Sequence, residues 1–516
     1  MGTAYLAGID IGTTGSKVAI YDFMGNTVSS AYREYACDYP KPGWVEQDAE
    51  QVIAALMDAC REAVTSPGID PQAVAAISMS AQRCCSHFLD SKGKLVRPMI
   101  SWMDNRPIEE VEEIKQKIPP EDFYGITGLP LNTTWMLPKI LWLRKNEPEN
   151  WKKTARIVQM HDYAFKAFGA DDYYVDISDA VFYGFWDPFN LTWDDQLLTI
   201  FDIDPSYMPI PKPSGEQIGV VSKEAAERSG FAPGTPLITG AGDQNSAAVG
   251  AGVVREGYLS VTLGTSGNAT TFLKKPFKDP KQKAMITNHP IYGTWELEGY
   301  IASAAGVWRW FRDEIALTEK RRAEKEGRDP FEILNELVAE APAGSKGLIF
   351  LPYLASVTAP RWNPQARGTL TGLSFNHDRS CVARAVMEGI TMQNYDLIRS
   401  MMESGITIDV ARIMGGPTKS PLWNQMQADI YNIPVETLRV TEAGVLGAAV
   451  MAGKGAGIFR DIPEGVNSMV KVDREYTPNP ESSMLYQELY EAYCSLYEGL
   501  EEKGVFSKIS KMQDHM

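Results

Sequence analysis

The stretch Tyr5-Leu-Ala-Gly-Ile-Asp10-Ile-Gly-Thr-Thr-Gly15-Ser-Lys-Val-Ala-Ile-Tyr21 decides how the rest of the chain reads. An apolar run up to Ile11 enters a glycine-rich turn, and a second apolar run from Val18 to Tyr21 leaves it, which predicts strand, turn, strand. Asp22 to Asn26 predicts a further turn and Val28 to Tyr35 a third strand, so the chain opens as an antiparallel meander. About half a chain later the pattern returns. A strand over Tyr258 to Leu263 leads into Gly264-Thr265-Ser266-Gly267, and Ala269 to Leu273 follows as its partner. Two strand–GT[TS]G–strand hairpins at that separation predict a duplicated α/β architecture whose halves face one cleft. The boundary falls near residues 247–257, giving an N-terminal domain over 1–250 and a C-terminal domain over 251–516.

Between the hairpins, Asp48 with Gln51 three residues on predicts a helix start, and Val52, Leu56, Cys60 and Val64 share one face of that helix. Val74 to Met79 predicts a buried strand, and strand–helix alternation continues from there. The polar and aromatic stretch from Asp171 to Asp195 shows no clear period. A helix is expected from Pro421 to Ile430. Leu485, Leu489, Tyr493, Leu496 and Leu500 predict the inner face of a C-terminal helix that stops at Gly504.

The chain has 516 residues, 22% charged and 44% hydrophobic, a globular composition long enough for two large domains. Its formal charge is −16, which argues against a nucleic-acid partner but leaves room for a small anion held by backbone N–H groups. No apolar stretch approaches the ~18 residues of a membrane helix. The first residues lack a basic leader, and Leu6 stands where a myristoylation signal has Ser or Thr, so a cytoplasmic location is expected. The six cysteines are scattered without C-x-x-C spacing, as are the five histidines, which argues against disulfides, zinc and haem. Adjacent Cys84 and Cys85 read as packed thiols.

The first turn is a candidate anion site. Gly12 and Gly15 permit backbone approach and positive φ, Thr13, Thr14 and Ser16 offer hydroxyls, and Lys17 offers charge. Asp10, at the strand end, is placed to hold a divalent cation through water. A Walker loop is absent, since a strand and not a helix follows the turn. Asp243, in Gly240-Ala-Gly-Asp-Gln-Asn245 after a strand over Pro236 to Thr239, is either a general base or the cap of a helix beginning near Ser246. Gly415-Gly416 after the strand Arg412 to Met414 offers bare backbone to a nucleoside. Gln82-Arg83 and Trp102-Met-Asp104-Asn-Arg106 follow predicted strands, where open α/β sheets bind ligands. A surface salt bridge is the simpler reading of Arg106.

Together these motifs resemble the FGGY family of carbohydrate kinases over roughly residues 4 to 460. Gly8-Ile-Asp10-Ile-Gly-Thr-Thr-Gly15-Ser resembles its N-terminal phosphate loop. Lys139-Ile-Leu-Trp142-Leu-Arg-Lys-Asn146 resembles half of one signature, though Thr134 and Met136 depart from it. Gly368-Thr-Leu370-Thr-Gly372-Leu373 with Cys381-Val-Ala-Arg-Ala385-Val-Met-Glu388 resembles a second, except at Cys381. Met414-Gly415-Gly416 and Glu442-Ala-Gly-Val-Leu-Gly447 extend the match. The resemblance implies a two-domain actin-like, ribonuclease-H-like fold with ATP and Mg²⁺ in an interdomain cleft. It implies Asp243 as catalytic base, and Asp10 with Asp243 at the metal. It places Gly12, Thr13, Thr14, Ser16, Lys17, Gly264, Thr265, Ser266, Gly415, Gly416 and Ser420 at the nucleotide. Gln82, Arg83, Trp102, Asp104, Asp243 and Gln244 fall to a small sugar or polyol.

For that substrate the segments disagree. Ser80-Ala-Gln82-Arg83-Cys84 stands where xylulokinases have S-G-Q-M-H. Gln82-Arg83 resembles glycerol kinase, and Trp102-x-Asp104-x-Arg106 resembles xylulokinase and gluconate kinase. A ketopentose is the first expectation, glycerol or another polyol or aldonate the second. An actin-like ATPase module without a sugar is the reading from another class. No membrane partner is implied, and a homodimer is left open.

Overall fold

The computed structural model describes residues 4–279 and 282–514; Met1 to Thr3, part of the stretch read for a leader, lie outside the described residues. None of the described helices is long and apolar enough to cross a membrane. The chain forms two compact units, each discontinuous in sequence. The first comprises residues 1–255, 272–297 and 442–471, the second 256–271, 298–441 and 472–516.

In the first unit, β1 (Tyr5–Ile11), β2 (Gly15–Tyr21) and β3 (Thr27–Glu34) make the expected antiparallel meander. With β4 (Val74–Ala81), β5 (Gln217–Val220) and β6 (Pro236–Gly242) they form one sheet in the order β5-β6-β4-β1-β2-β3. β4 lies parallel to β1, and β6 parallel to β4. Parallel strands end at the same edge of a sheet, and that edge is where open α/β sheets take ligands. The register sets Asp10 level with Ser80, and Ser80 level with Ala241. Gln82, Arg83 and Asp243 therefore leave neighbouring strands side by side.

Alternation along β1 assigns its two faces. Ala7, Ile9 and Ile11 join Val52, Leu56, Cys60 and Val64 of helix Ala49–Val64 in one apolar core. This is the helix face the sequence predicts, and Asp48 caps it by accepting from the N–H groups of Glu50 and Gln51. Leu6, Gly8 and Asp10 face the other way, against helix Ala443–Gly455. That helix is apolar all round and buried over almost its whole length, as such helices must be.

The second unit repeats the plan. β7 (Gly257–Leu263), β8 (Gly267–Leu273), β9 (Trp295–Ile301), β10 (Ile408–Met414), β11 (Val435–Leu438) and β12 (Val472–Tyr476) run in the order β9-β8-β7-β10-β11-β12. β7 pairs antiparallel with β8 and parallel with β10, and β10 pairs parallel with β11. This matches β1, β2, β4 and β6 strand for strand.

The C-terminal helix, Pro480–Glu502, differs from expectation in its buried face. Tyr486, Tyr490, Tyr493 and Tyr497 point inward, while Leu485 is 41% exposed. Both stripes have helical spacing, so periodicity does not separate them. The choice falls to partners for the phenols: Tyr486 donates to Glu388 and Tyr490 to Asp396, both from helix Arg379–Glu403.

Glycines let backbone meet backbone around helix Ala443–Gly455. A Cβ at Gly8 would stand 2.0 Å from Val445 O, one at Gly447 1.9 Å from Ser246 O, and one at Gly250 1.9 Å from Ala443 O. A Cβ at Gly499, in the C-terminal helix, would meet nothing within 4 Å. Gly447→Ala should therefore overpack the contact and cost about 1–3 kcal/mol. Gly499→Ala should gain about 0.5–1 kcal/mol from helix propensity. Thermal melts of the two variants check this, and equal shifts would refute the packing account.

Candidate active site

Asp10 ends β1 with its carboxylate turned toward Gly444, whose Cβ would lie 3.5 Å from it. Ser80 donates its hydroxyl to Asp10 Oδ1 at 2.8 Å. Burial raises the Asp10 carboxyl to about 7; the Ser80 hydrogen bond opposes this, Asp243 and Glu442 add to it, and Lys17 lowers it. A carboxyl so destabilised as an anion by two neighbouring acids is one that a dication would hold well.

The turn after Asp10 differs in detail from expectation. Neither Gly12 nor Gly15 adopts positive φ, and neither do Gly264 and Gly267. Space is tighter at the second glycine of each turn: a Cβ on Gly15 would lie 2.4 Å from the hydroxyl of exposed Tyr32, and one on Gly267 3.2 Å from Ala304 Cβ, whereas one on Gly264 would stand 3.4 Å from Ser266 O. The turns close through Gly12 N–H to Gly15 O at 3.0 Å and Gly264 N–H to Ser266 O at 2.9 Å. Thr14 is exposed, whereas the Ser16 hydroxyl is buried within 3.1 Å of Tyr35 Oη. Tyr35 also donates to Gly12 O at 2.6 Å, and Lys17 pairs with Glu442 at 2.7 Å. Thr13 is fixed from two sides, its O by Gln47 Nε2 and its Oγ1 by Trp102 Nε1 at 2.9 Å. Trp102 thus braces the turn.

Helix Asp243–Gly250 begins at Asp243 itself, with Gly242 in the capping position and no side-chain cap. Asp243 accepts from the adjacent Gln244 N–H at 2.7 Å, and remains about one-third exposed. Arg83 Nε donates to Asp243 Oδ1 at 2.9 Å. Arg83 stacks on Phe182, 4.4 Å from the ring centroid, and reaches Asn245 Oδ1 at 3.3 Å. The next residue, Cys84, itself lies in the left-handed region at φ 62°, and its N–H donates to Gln159 Oε1. Buried Lys139 bonds the carbonyls of Cys84 and Thr134; burial pushes its ammonium down to about 8. Gln82 is buried, with Nε2 on Gln47 Oε1 at 2.9 Å and Oε1 without a partner.

Asp104 and Arg106 depart from their sequence readings. Both side chains are fully buried. Asp104 accepts from Val45 N–H and from Arg106 N, Nε and Nη2. Arg106 also reaches Glu46 and lies 3.8 Å from the ring centroid of Trp44 and 4.8 Å from that of Trp142. The expected surface bridge is therefore an interior brace, and Asp104 offers no side-chain surface to a ligand. Sequence reading also missed Phe182, Asn245, Gln47, Tyr35 and Glu442 as supports, because their signal is spatial. Phe182 belongs to the stretch without clear period, which folds into the strand Tyr174–Asp176, the short helix Ile177–Ala180, a 3-10 turn over Val181–Tyr183 and a small antiparallel ribbon of Trp186–Asp187 and Thr192–Trp193.

In the second unit, Gly415 follows β10 with φ 96°, and its Cβ would meet Leu263 O at 2.4 Å. Gly416 is exposed, and its Cβ would meet nothing within 4 Å. Ser420 caps helix Pro421–Tyr431 by accepting from Trp423 N–H, and is within 3.1 Å of Asn335 Oδ1.

Carboxylates near the ends of parallel strands, beside a glycine turn in a duplicated sheet, give an α/β plan with its polar groups gathered at one sheet edge. Models of the N-terminal and C-terminal domains of the FGGY family of carbohydrate kinases match residues 5–250 and 259–456. The chain belongs to that family. It is 30% identical to a xylulose kinase of Staphylococcus epidermidis over 95% of this chain and 96% of the relative. It is 30% identical to a gluconokinase of Bacillus licheniformis over 99% and 98%. A ligand-bound xylulose kinase from Lactobacillus acidophilus superposes with a TM-score of 0.89 at 27% identity, over 96% of this chain and 98% of that one. A Plasmodium falciparum glycerol kinase with ADP gives 0.85 at 26%, over 96% and 98%.

Breaking a buried ion pair from one side costs about 3–5 kcal/mol. Asp104→Ala should therefore lower the melting temperature sharply, while exposed Thr14→Ala stays within about 0.5 kcal/mol of the parent. An Asp104→Ala protein with unchanged melting and a raised sugar KM would return Asp104 to the substrate.

Proposed function

We propose that this carbohydrate kinase transfers the γ-phosphoryl group of ATP, with Mg²⁺, to a hydroxyl of a small sugar or polyol, a ketopentose first. The observation that carries the reading is the Arg83–Asp243 pair at the edge where β4 and β6 end, two to three residues beyond the level of Asp10. A carboxylate held by a guanidinium yet still one-third exposed suits a general base better than a cap, since Gly242 and not Asp243 takes the capping position. Asp243 accepts the proton of the attacking hydroxyl, and Arg83 sets its orientation. Gln82 and Gln244 flank the same edge and suit hydroxyls of the substrate.

Residues of the chain fit the nucleotide and its cation. The raised Asp10 carboxyl, with Asp243 acting on it, suits Mg²⁺, which would supply charge neutralisation on the phosphates. Exposed Thr14 and the glycine-closed backbone at Gly12 suit phosphate oxygens; so, in the second unit, do exposed Gly264 and Thr265. Open backbone at Gly416 beside the cap Ser420 suits the adenosine. Ser16 and Lys17 act through the turn, by way of Tyr35 and Glu442.

The ketopentose reading draws on the xylulose kinases among the relatives and superposed structures. Arg83 supports a second reading, because a guanidinium at this wall also suits an aldonate carboxylate, and a gluconokinase is equally similar.

A coupled assay with ATP against ketopentoses, aldonates, polyols and glycerol tests the substrate; turnover confined to aldonates would replace the first reading by the second. Asp243→Asn tests the base. It should lower kcat by roughly 10²–10⁴-fold with little change in KM, the usual worth of a positioned base. Its melting temperature should hold, because the amide keeps the shape. A retained kcat would assign Asp243 a structural role only.

A further inference from the structure

Away from the reacting edge, the first unit buries His161, Asp162, Asp176 and Asp179 at 0% exposure. One ligand atom from each of His161, Asp162 and Asp179 lies within 4.8 Å of the others. Asp176 Oδ2 adds a further oxygen, 3.6 Å from His161 Nδ1, and Asp162 Oδ1 is 3.8 Å from the same nitrogen. These separations are too long for hydrogen bonds. They are close to the spacing of donors that share one ion, since two ligands at about 2.1 Å subtending a tetrahedral angle stand roughly 3.4 Å apart.

His161, Asp162 and Asp176 are each held at one side-chain atom and turned inward at the other. His161 Nε2 lies 3.1 Å from Met79 O, a carbonyl that can only accept, so this nitrogen carries the hydrogen and a neutral ring leaves the Nδ1 lone pair free. Asp162 Oδ2 accepts from Tyr183 Oη at 2.7 Å and Gln159 N–H at 2.8 Å. Asp176 Oδ1 accepts from the N–H groups of Ser178 and Asp179 and from the Ser178 hydroxyl. The atoms left over, His161 Nδ1, Asp162 Oδ1, Asp176 Oδ2 and both oxygens of Asp179, are buried without a hydrogen-bond partner. Outer partners that orient a histidine and carboxylates while leaving inner atoms bare are what a metal site requires.

We propose that His161, Asp162, Asp176 and Asp179 bind one divalent transition-metal cation, Zn²⁺ or Mn²⁺ by donor type. One imidazole nitrogen with carboxylate oxygens suits these ions. Three carboxylates facing one neutral ring also leave a buried negative charge that a dication offsets. The cation ties helix Met160–Phe168 to the segment Asp176–Asp179, whose Ser178 Oγ accepts from Gly242 N–H at 3.4 Å. It is thus a structural ion behind the Asp243 wall, separate from any ion at Asp10.

The full-length protein, loaded with Zn²⁺ or Mn²⁺ in separate arms and desalted, should retain about one metal per chain by mass spectrometry. Asp179→Asn should lose it, while Asp10→Asn keeps it. Loading of the chelator-stripped wild type should raise Tm by roughly 2–8 °C, and this gain should vanish in Asp179→Asn. His161→Gln serves as a second variant if Asp179→Asn does not fold. Retention of neither metal by the wild type, with Tm unmoved by chelator or metal, would overturn the site in favour of a proton-sharing cluster. So would metal lost in Asp10→Asn but kept in Asp179→Asn.

Discussion

The missing Cβ atoms of a few glycines hold the first unit's site together. Gly8 on β1, Gly250 in helix Asp243–Gly250 and Gly447 in helix Ala443–Gly455 each lie where any side chain would meet a carbonyl oxygen at about 2 Å. Gly240 on β6 does the same against Met79 O, at 1.7 Å. Because these backbones touch, one apolar helix lies directly on the strand that carries Asp10 and against the helix that begins at Asp243. The electrostatics of the edge follow. Glu442 and Gly444, at the start of that helix, arrive beside Asp10, and Ser246 bonds Gly444 O at 2.8 Å.

Charge in this unit is handled by depth. At the edge, Arg83 and Asp243 pair while keeping some solvent. One layer in, Arg106 is clamped by Asp104, Glu46 and two tryptophan rings and leaves nothing for a ligand. Deeper still, the His161 cluster has more carboxylate than it has partners. These are three uses of the same residue types, and burial with partner count, not identity, separates them.

Duplication shapes what each unit offers. Both sheets run an antiparallel hairpin into parallel neighbours, and both place a glycine turn at the end of the hairpin's first strand. The copies then diverge. The first adds carboxylates at Asp10 and Asp243, and the second adds the Gly415-Gly416 backbone. A repeated scaffold with unlike decorations gives one unit an acidic sheet edge and the other an open glycine backbone from the same strand plan.

The sequence by itself determined the parts whose signal is local. The strand–turn–strand hairpins, the core face of helix Ala49–Val64, the Asp48 cap and helix Pro421–Tyr431 follow from period and capping chemistry within a few residues, and the family follows from motifs at fixed spacing. Tertiary structure decided whatever depends on partners distant in the chain. It chose Tyr486 and Tyr490 over the leucines in helix Pro480–Glu502, because their phenols find Glu388 and Asp396. It turned Arg106 from a surface charge into a brace, and gave the Ser16 hydroxyl Tyr35 as a neighbour. It also built the glycine turns without positive φ at Gly12, Gly15, Gly264 or Gly267. In the stretch from Asp171 to Asp195 the sequence carried almost no period. Its residues are set by contacts with Arg83, His161 and Gly242, from segments as far as 88 positions upstream and 47 downstream of it, and a linear pattern does not encode those.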